Sequence, residues 1–168
     1  ERTGFVGEIR YGVLNDVRYG EKALPRMVDQ CAALALPASA PLPKAWPLPQ
    51  LVVGKDEVTG WRKANDLGDT AAVTLAPGAV GPSKRWTYFA EAARRLADQG
   101  LDVWIVGGPG ERETAREIAN AGGARVRDLT GTNLRNAILA LAASPLAISN
   151  DSGLLHVAAA IGTPAIGI

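Results

Sequence analysis

The segment SNDSGLLHVAAAIGTPAIGI, residues 149–168, holds the densest collection of residues able to do chemistry. Asn150, Asp151, Ser152 and Gly153 stand between an apolar strand-like run and a helix-like run. Asp or Ser at such a junction caps the helix, and the amides from Ser152 to Leu154 face outward. Those amides and the helix dipole form an anion site suited to phosphate oxygens. Gly153 lets a ligand come close to the backbone. A plain helix cap uses the same residue types, so Asp-Ser-Gly alone does not define a site. His156, the single histidine of the chain, lies one turn further on, on the side facing back to the loop.

Three further loops carry polar or glycine-rich sequence. PGAVGPSKRW, residues 77–86, places Lys84 and Arg85 just before a helix, and a lysine there can neutralise a diphosphate as a point charge. A solvated surface lysine is the alternative. GGPGERE, residues 107–113, offers Gly107 and Gly108 as a bed for a nucleoside and Glu111 as an acceptor for ribose hydroxyls. Glu111 and Glu113 also suit a first helical turn, which accounts for Glu113 without a ligand. LTGTN, residues 129–133, combines a turn with a cap at Asn133, and Thr130 or Thr132 can face a nucleotide.

Several chemistries lack their residues. The chain contains no G-x-x-x-x-G-K-[ST] loop, no G-x-G-x-x-G after a strand and no G-x-S-x-G elbow. It has no Asp-x-Asp pair and no His/Cys cluster at ligand spacing, so no metal site is expected. What remains is a diphosphate-sized ligand bound without an obligatory metal or cofactor.

Strands and helices must bring these loops together. Apolar runs at 71–76, 102–106, 124–129, 146–149 and 165–168 alternate with helical periodicity at 86–97, 111–121, 134–142 and 152–161. Continuous apolar strands separated by helices imply α/β architecture, a Rossmann-like three-layer parallel sheet covered on both faces. Ligands in such sheets bind beyond the carboxyl ends of the strands, where all four loops fall. Before this pattern come a helix over 22–36, a short strand at 51–53 and a short helix over 57–67. Five of the eleven prolines fall within 37–49, a density that forbids helix and reads as an interdomain connector. The expected division is therefore 1–36 as the end of one domain, 37–49 as linker and 50–168 as a Rossmann-like domain.

With 168 residues, 47% hydrophobic and 21% charged, the chain has the composition of a globular protein rather than a disordered one. A formal net charge of +1 gives no bulk attraction to nucleic acid. The lone Cys31 can form no intrachain disulfide, fits a reducing compartment, and is expected to be a buried or half-buried apolar residue. No run reaches the roughly 18 apolar residues a membrane span needs, and no signal peptide opens the chain. Both ends have the look of a cut, at Glu1 and at the uncapped PAIGI.

The stretches PGAVGPSKRW, YFAEAARRLADQGLDVWIVGG and LTGTNLRNAILALAASPLAISNDSGLLHVAAAIGTPAIGI, with the opening GFVGEIRYGVLNDVR, resemble glycosyltransferase family 9. The likeness is to its lipopolysaccharide heptosyltransferases. It implies the C-terminal half of a GT-B fold, truncated at its end, preceded by the end of the acceptor domain. It further implies ADP-L-glycero-D-manno-heptose as donor substrate, the lipopolysaccharide inner core as acceptor, and metal-free inversion at the anomeric carbon. By position, Lys84 would contact the phosphates, Asp151, Ser152, Gly153 and His156 would hold diphosphate and heptose, and Glu111 the ribose. The family's acidic general base lies in the first half of the N-terminal domain, so this chain alone is expected to be inactive. A cytoplasmic place, with peripheral contact at the inner face of the inner membrane, goes with the same resemblance. A family member with another nucleotide sugar or acceptor, or a nucleotide-binding module without transferase activity, remains open.

Overall fold

A five-stranded sheet, apolar on both faces at its centre, positions the loops discussed above. The computed structural model describes residues 1–7, 10 and 12–168; Glu8, Ile9 and Tyr11 of the opening segment lie outside the described residues. Two compact units divide between Pro47 and Leu48.

In the first unit, Thr3–Phe5 (β1) and Asp16–Arg18 (β2) pair in parallel, with Thr3 opposite Asp16. Three-residue strands are too short to show a period of two, so periodicity does not reveal them. A helix follows at Met27–Ala35 (α1), later than the 22–36 expected. Pro25 explains the delay: it holds Leu24 extended (φ −107°, ψ 92°), and only a single 3-10 turn at Glu21–Ala23 precedes it. Cys31 is exposed on α1, contrary to the expectation of burial. It lies on a nine-residue helix whose only buried residue is Asp29. The Asp29 carboxylate accepts hydrogen bonds from Arg26 (2.7 and 2.9 Å) and from the Trp46 indole (2.7 Å). The proline-rich segment up to Pro47 thus folds with the first unit, without helix or strand of its own.

The second unit contains Lys55–Ala64 (α2), Ala72–Ala76 (β3), Phe89–Asp98 (α3), Asp102–Ile105 (β4), Arg112–Gly122 (α4), Val126–Asp128 (β5), Leu134–Ala143 (α5), Leu146–Ser149 (β6), Gly153–Ile161 (α6) and Ala165–Gly167 (β7). Residues 51–53 form no strand; the Leu51 amide instead donates to the Ala160 carbonyl at the end of α6 (2.8 Å). All strand pairs are parallel, in the order β5-β4-β3-β6-β7.

Alternation along β3 and β4 divides the core in two. Val73, Leu75, Val103 and Ile105 pack with Phe89, Ala93, Ala115 and Ile118 of α3 and α4. Ala72, Ala76, Trp104 and Val106 pack on the opposite face with Trp61 of α2 and Ala137 and Ala140 of α5. There Trp61 and Trp104 meet edge to face at 5.6 Å and 75°. Ala158 brings α6 onto the same face through Leu141 and Ala147. Thr74 fits an apolar strand because its hydroxyl pairs with that of Ser144 (2.5 Å), which also donates to the Ala140 carbonyl. The result is the Rossmann-like three-layer α/β fold.

The path of the chain fixes where a ligand can bind. From β3 it runs through α3, β4 and α4 to β5 at one edge, then α5 carries it back across the sheet to β6. Strand order therefore reverses between β3 and β6. Their following helices leave toward opposite faces, which opens a crevice at the carboxyl ends of the two strands.

Candidate functional site

A cleft of about 880 Å³ occupies that crevice. Lys84, Gly107, Gly108, Glu111, Asp151, Ser152, Gly153 and His156 all line it, although they come from three loops and one helix. Thr130 is absent from its lining. The Thr130 amide and hydroxyl both donate to the Asp128 carboxylate (2.8 and 2.6 Å), and the residue is nearly buried. Thr130, expected to face a nucleotide, thus stands outside this lining with its amide and hydroxyl hydrogens given to Asp128. The Thr132 hydroxyl likewise turns back to the Leu129 carbonyl (3.0 Å).

The start of α6 is built differently from the expectation of a side-chain cap. Ser152 occupies the cap position, extended at φ −149° and ψ 171°, but its side chain makes no capping hydrogen bond. The Ser152 hydroxyl lies 3.3 Å from that of Ser149 instead. Leu155 is the first residue whose amide closes onto the turn, donating to the Ser152 carbonyl (3.1 Å). The preceding amides are therefore the orphan donors of a helix N-terminus, carrying its partial positive charge into the cleft. A side chain at Gly153 would meet open space, so the approach to these amides is clear.

Opposite them, the loop after β3 brings in Lys84. Its ammonium donates to the Asp151 carboxylate at 2.6 Å, and both side chains are more than half exposed (52% and 58%). The hydrogen bond from Lys84 holds the Asp151 carboxyl below its ordinary value of 3.8. The Lys84 charge adds to that, slight burial opposes it, and the charge of His156 contributes least. The Asp151 amide donates to the Ile168 carbonyl (3.1 Å), so this residue offers a phosphate neither a free amide nor a favourable charge.

Three glycines surround one carboxylate on the far side of the cleft. A Cβ at Gly78, Gly107 or Gly108 would stand 3.1–3.2 Å from the Glu111 side chain. These positions stay bare so that Glu111 can lie flat against the strand ends. Spacing pointed to the glycines as a bed for the ligand; the structure shows that they first accommodate Glu111.

Asn150 went unassigned in the sequence and is central here. It is fully buried, donates through its amide to the Pro77 carbonyl (2.7 Å) and accepts from the Trp86 amide (3.1 Å). An asparagine directly after a buried strand is the signal the sequence offers for it. Among the described residues, no group of three or more His, Cys, Asp or Glu side chains is placed to hold a metal ion. No helix among them is long and apolar enough to cross a membrane.

A parallel α/β sheet with a glycine-lined crevice at its switch point, lined by the Lys84 ammonium and the start of α6, has the architecture of the Rossmann-like class. Comparison with known proteins makes the assignment specific. The profile of glycosyltransferase family 9 (heptosyltransferase) matches residues 1–168, and the chain belongs to that family. Lipopolysaccharide heptosyltransferase 2 of Escherichia coli K12 is 37% identical over 99% of this chain and 52% of its own length. The protein of the same name from Salmonella typhimurium is also 37% identical, again over 99% of this chain and 52% of its own length. The solved structure of E. coli ADP-heptose lps heptosyltransferase II superposes with a TM-score of 0.81 at 37% identity, covering 99% of this chain and 55% of that one. The chain thus spans about half the length of the relatives it matches.

Proposed function

We propose that this chain carries the donor-binding part of a heptosyltransferase that moves heptose from ADP-L-glycero-D-manno-heptose to the lipopolysaccharide inner core. Family membership and the names of the relatives support the reaction class, the sugar and the acceptor. The single observation that carries the reading is one crevice lined by both the Lys84 ammonium, held by Asp151, and the uncapped N-terminus of α6.

In the reaction, an acceptor hydroxyl oxygen bonds to the anomeric carbon from the face opposite ADP, inverting it. The carbon–oxygen bond to the diphosphate breaks, its electron pair leaves with ADP, and the hydroxyl proton passes to a base. The difficulty this half of the protein can relieve is the charge arriving on the diphosphate. An ammonium and preorganised amides do so in the absence of a metal. Lys84, Ser152 and Gly153 are assigned to the phosphates, and His156, which lines the same cleft, to diphosphate and heptose. Asp151, having the wrong sign for phosphate, is assigned to heptose hydroxyls and to holding Lys84. Glu111 accepts from the ribose hydroxyls, on the bed of Gly107 and Gly108. A cytoplasmic place, with peripheral contact at the inner membrane face, is part of the same reading.

Calorimetric titration of this chain with ADP, UDP and GDP tests the proposal. ADP should bind in preference to the other two. Equal affinity for all three would favour a nucleotide-binding module without donor selectivity, and absence of binding to any would remove the reading.

A further inference from the structure

We infer that Asn150 is a positioning residue that locks the Lys84 loop to the α6 N-terminus, setting the spacing between the two halves of the anion cradle. The inference rests on the donor-binding reading above. Residues 77–86 form a long loop whose own bonds are local: Lys84 amide to Gly81 carbonyl, Arg85 amide to Pro82 carbonyl and Arg85 guanidinium to Ala79 carbonyl. None of these tells the loop where the α6 N-terminus is.

Asn150 does. Its side-chain amide donates to the carbonyl of Pro77, where the loop leaves β3. Its side-chain carbonyl accepts from the amide of Trp86, where the loop ends. Its own amide donates to the Ala76 carbonyl (3.3 Å). One buried side chain thus grips both feet of the loop from 64 and 73 residues away. The next residue, Asp151, grips the tip through Lys84, and α6 starts two residues after that. The ring of Trp86 packs edge to face on Phe89 (5.1 Å), so the second foot is also anchored to the core.

Burying an amide is costly unless both of its ends are bonded. An apolar residue would fill the same place more cheaply if packing were the only need. Asn is the residue that supplies a donor to one foot and an acceptor to the other.

The test is a double-mutant cycle on this chain, read by ADP titration. Asn150→Asp keeps shape and acceptor but removes the donor to Pro77. It should weaken ADP binding about tenfold when Lys84 is present and by less than about twofold in the Lys84→Ala background. Equal losses in both backgrounds, or none in either, would overturn the inference. Amide hydrogen exchange of Trp86 in the unmodified chain is read alongside and needs no ligand. Protection supports the strap, whereas exchange at the rate of a freely exposed amide overturns it. If the unmodified chain binds no ADP, the donor reading falls, and Asn150 is then judged by Trp86 exchange alone. Asn150→Ala replaces the Asp variant if that does not fold. Failure of both to fold would also overturn the inference, since Asn150 would then hold the domain rather than the loop.

Discussion

Two loops of this sheet are both short and polar, each carries an asparagine, and they end in opposite states. After β5, Leu129 to Asn133 lead into α5; after β6, Asn150 to Ser152 lead into α6. In the first, the Asn133 side chain caps the helix by accepting from the Asn136 amide (2.9 Å), and Thr130 is bound to Asp128. In the second, Asn150 turns inward, Asp151 reaches sideways to Lys84, and Ser152 leaves the helix uncapped. A helix start whose donors are satisfied by its own chain has nothing left for a ligand; one left open is an anion site. The difference lies in which side chain turns back onto its own helix.

That contrast can be broken at the open loop and checked at the closed one. The largest effect is expected at Lys84: Lys84→Ala in the intact transferase should lower turnover about a hundredfold or more, and a loss under about fivefold would argue against its role. Next comes closing the open helix start. Gly153→Asp has room for its side chain and places a carboxylate among the orphan amides, so ADP affinity should fall about tenfold with the thermal midpoint unchanged or raised. Calorimetry beside a melting curve reads both; unaltered ADP binding would place the phosphates elsewhere.

Stability separates the loops more modestly. Asn133→Ala should cost about 1 kcal/mol and leave ADP binding alone, because it removes a working cap. Ser152→Ala should stay within about 0.5 kcal/mol, since no cap bond is lost. Similar denaturant midpoint shifts for the two variants would erase the distinction. The smallest effect is electrostatic. A carboxyl held below its ordinary value contributes stability above that value and loses it as pH falls through the folded-state one. The Asp151–Lys84 pair is therefore intact at neutral pH and weakens only in acid. In an NMR titration the Asp151 midpoint should lie below 3.8 and rise toward it in Lys84→Ala. Both groups are exposed, so salt should shrink the effect; an unmoved midpoint would mean the pair does not form in solution.

Much of the sheet was legible because β3 and β4 are buried on both faces and, with the half-buried β6, are written as largely apolar runs. The short strands β1 and β2, the displaced start of α1 and the absence of a strand at 51–53 were not. Each was decided by something periodicity cannot carry: pairing with a distant partner, a single proline, or a backbone bond to Ala160. The loops that form the cleft were located correctly as strand ends.

Within those loops, the sequence by itself determined which residue types gather at the strand ends: a lysine, bare glycines and a serine–glycine helix start, as the 3.6 and 2.0 periodicities dictate. The tertiary structure alone decided which of those groups are free. Thr130 and Asn133 are occupied, Glu111 fills the space left by three glycines, and Asn150 ties two segments more than sixty residues apart. The reason is physical: a polar side chain's availability depends on partners brought close by folding, and separation along the chain says nothing of that distance.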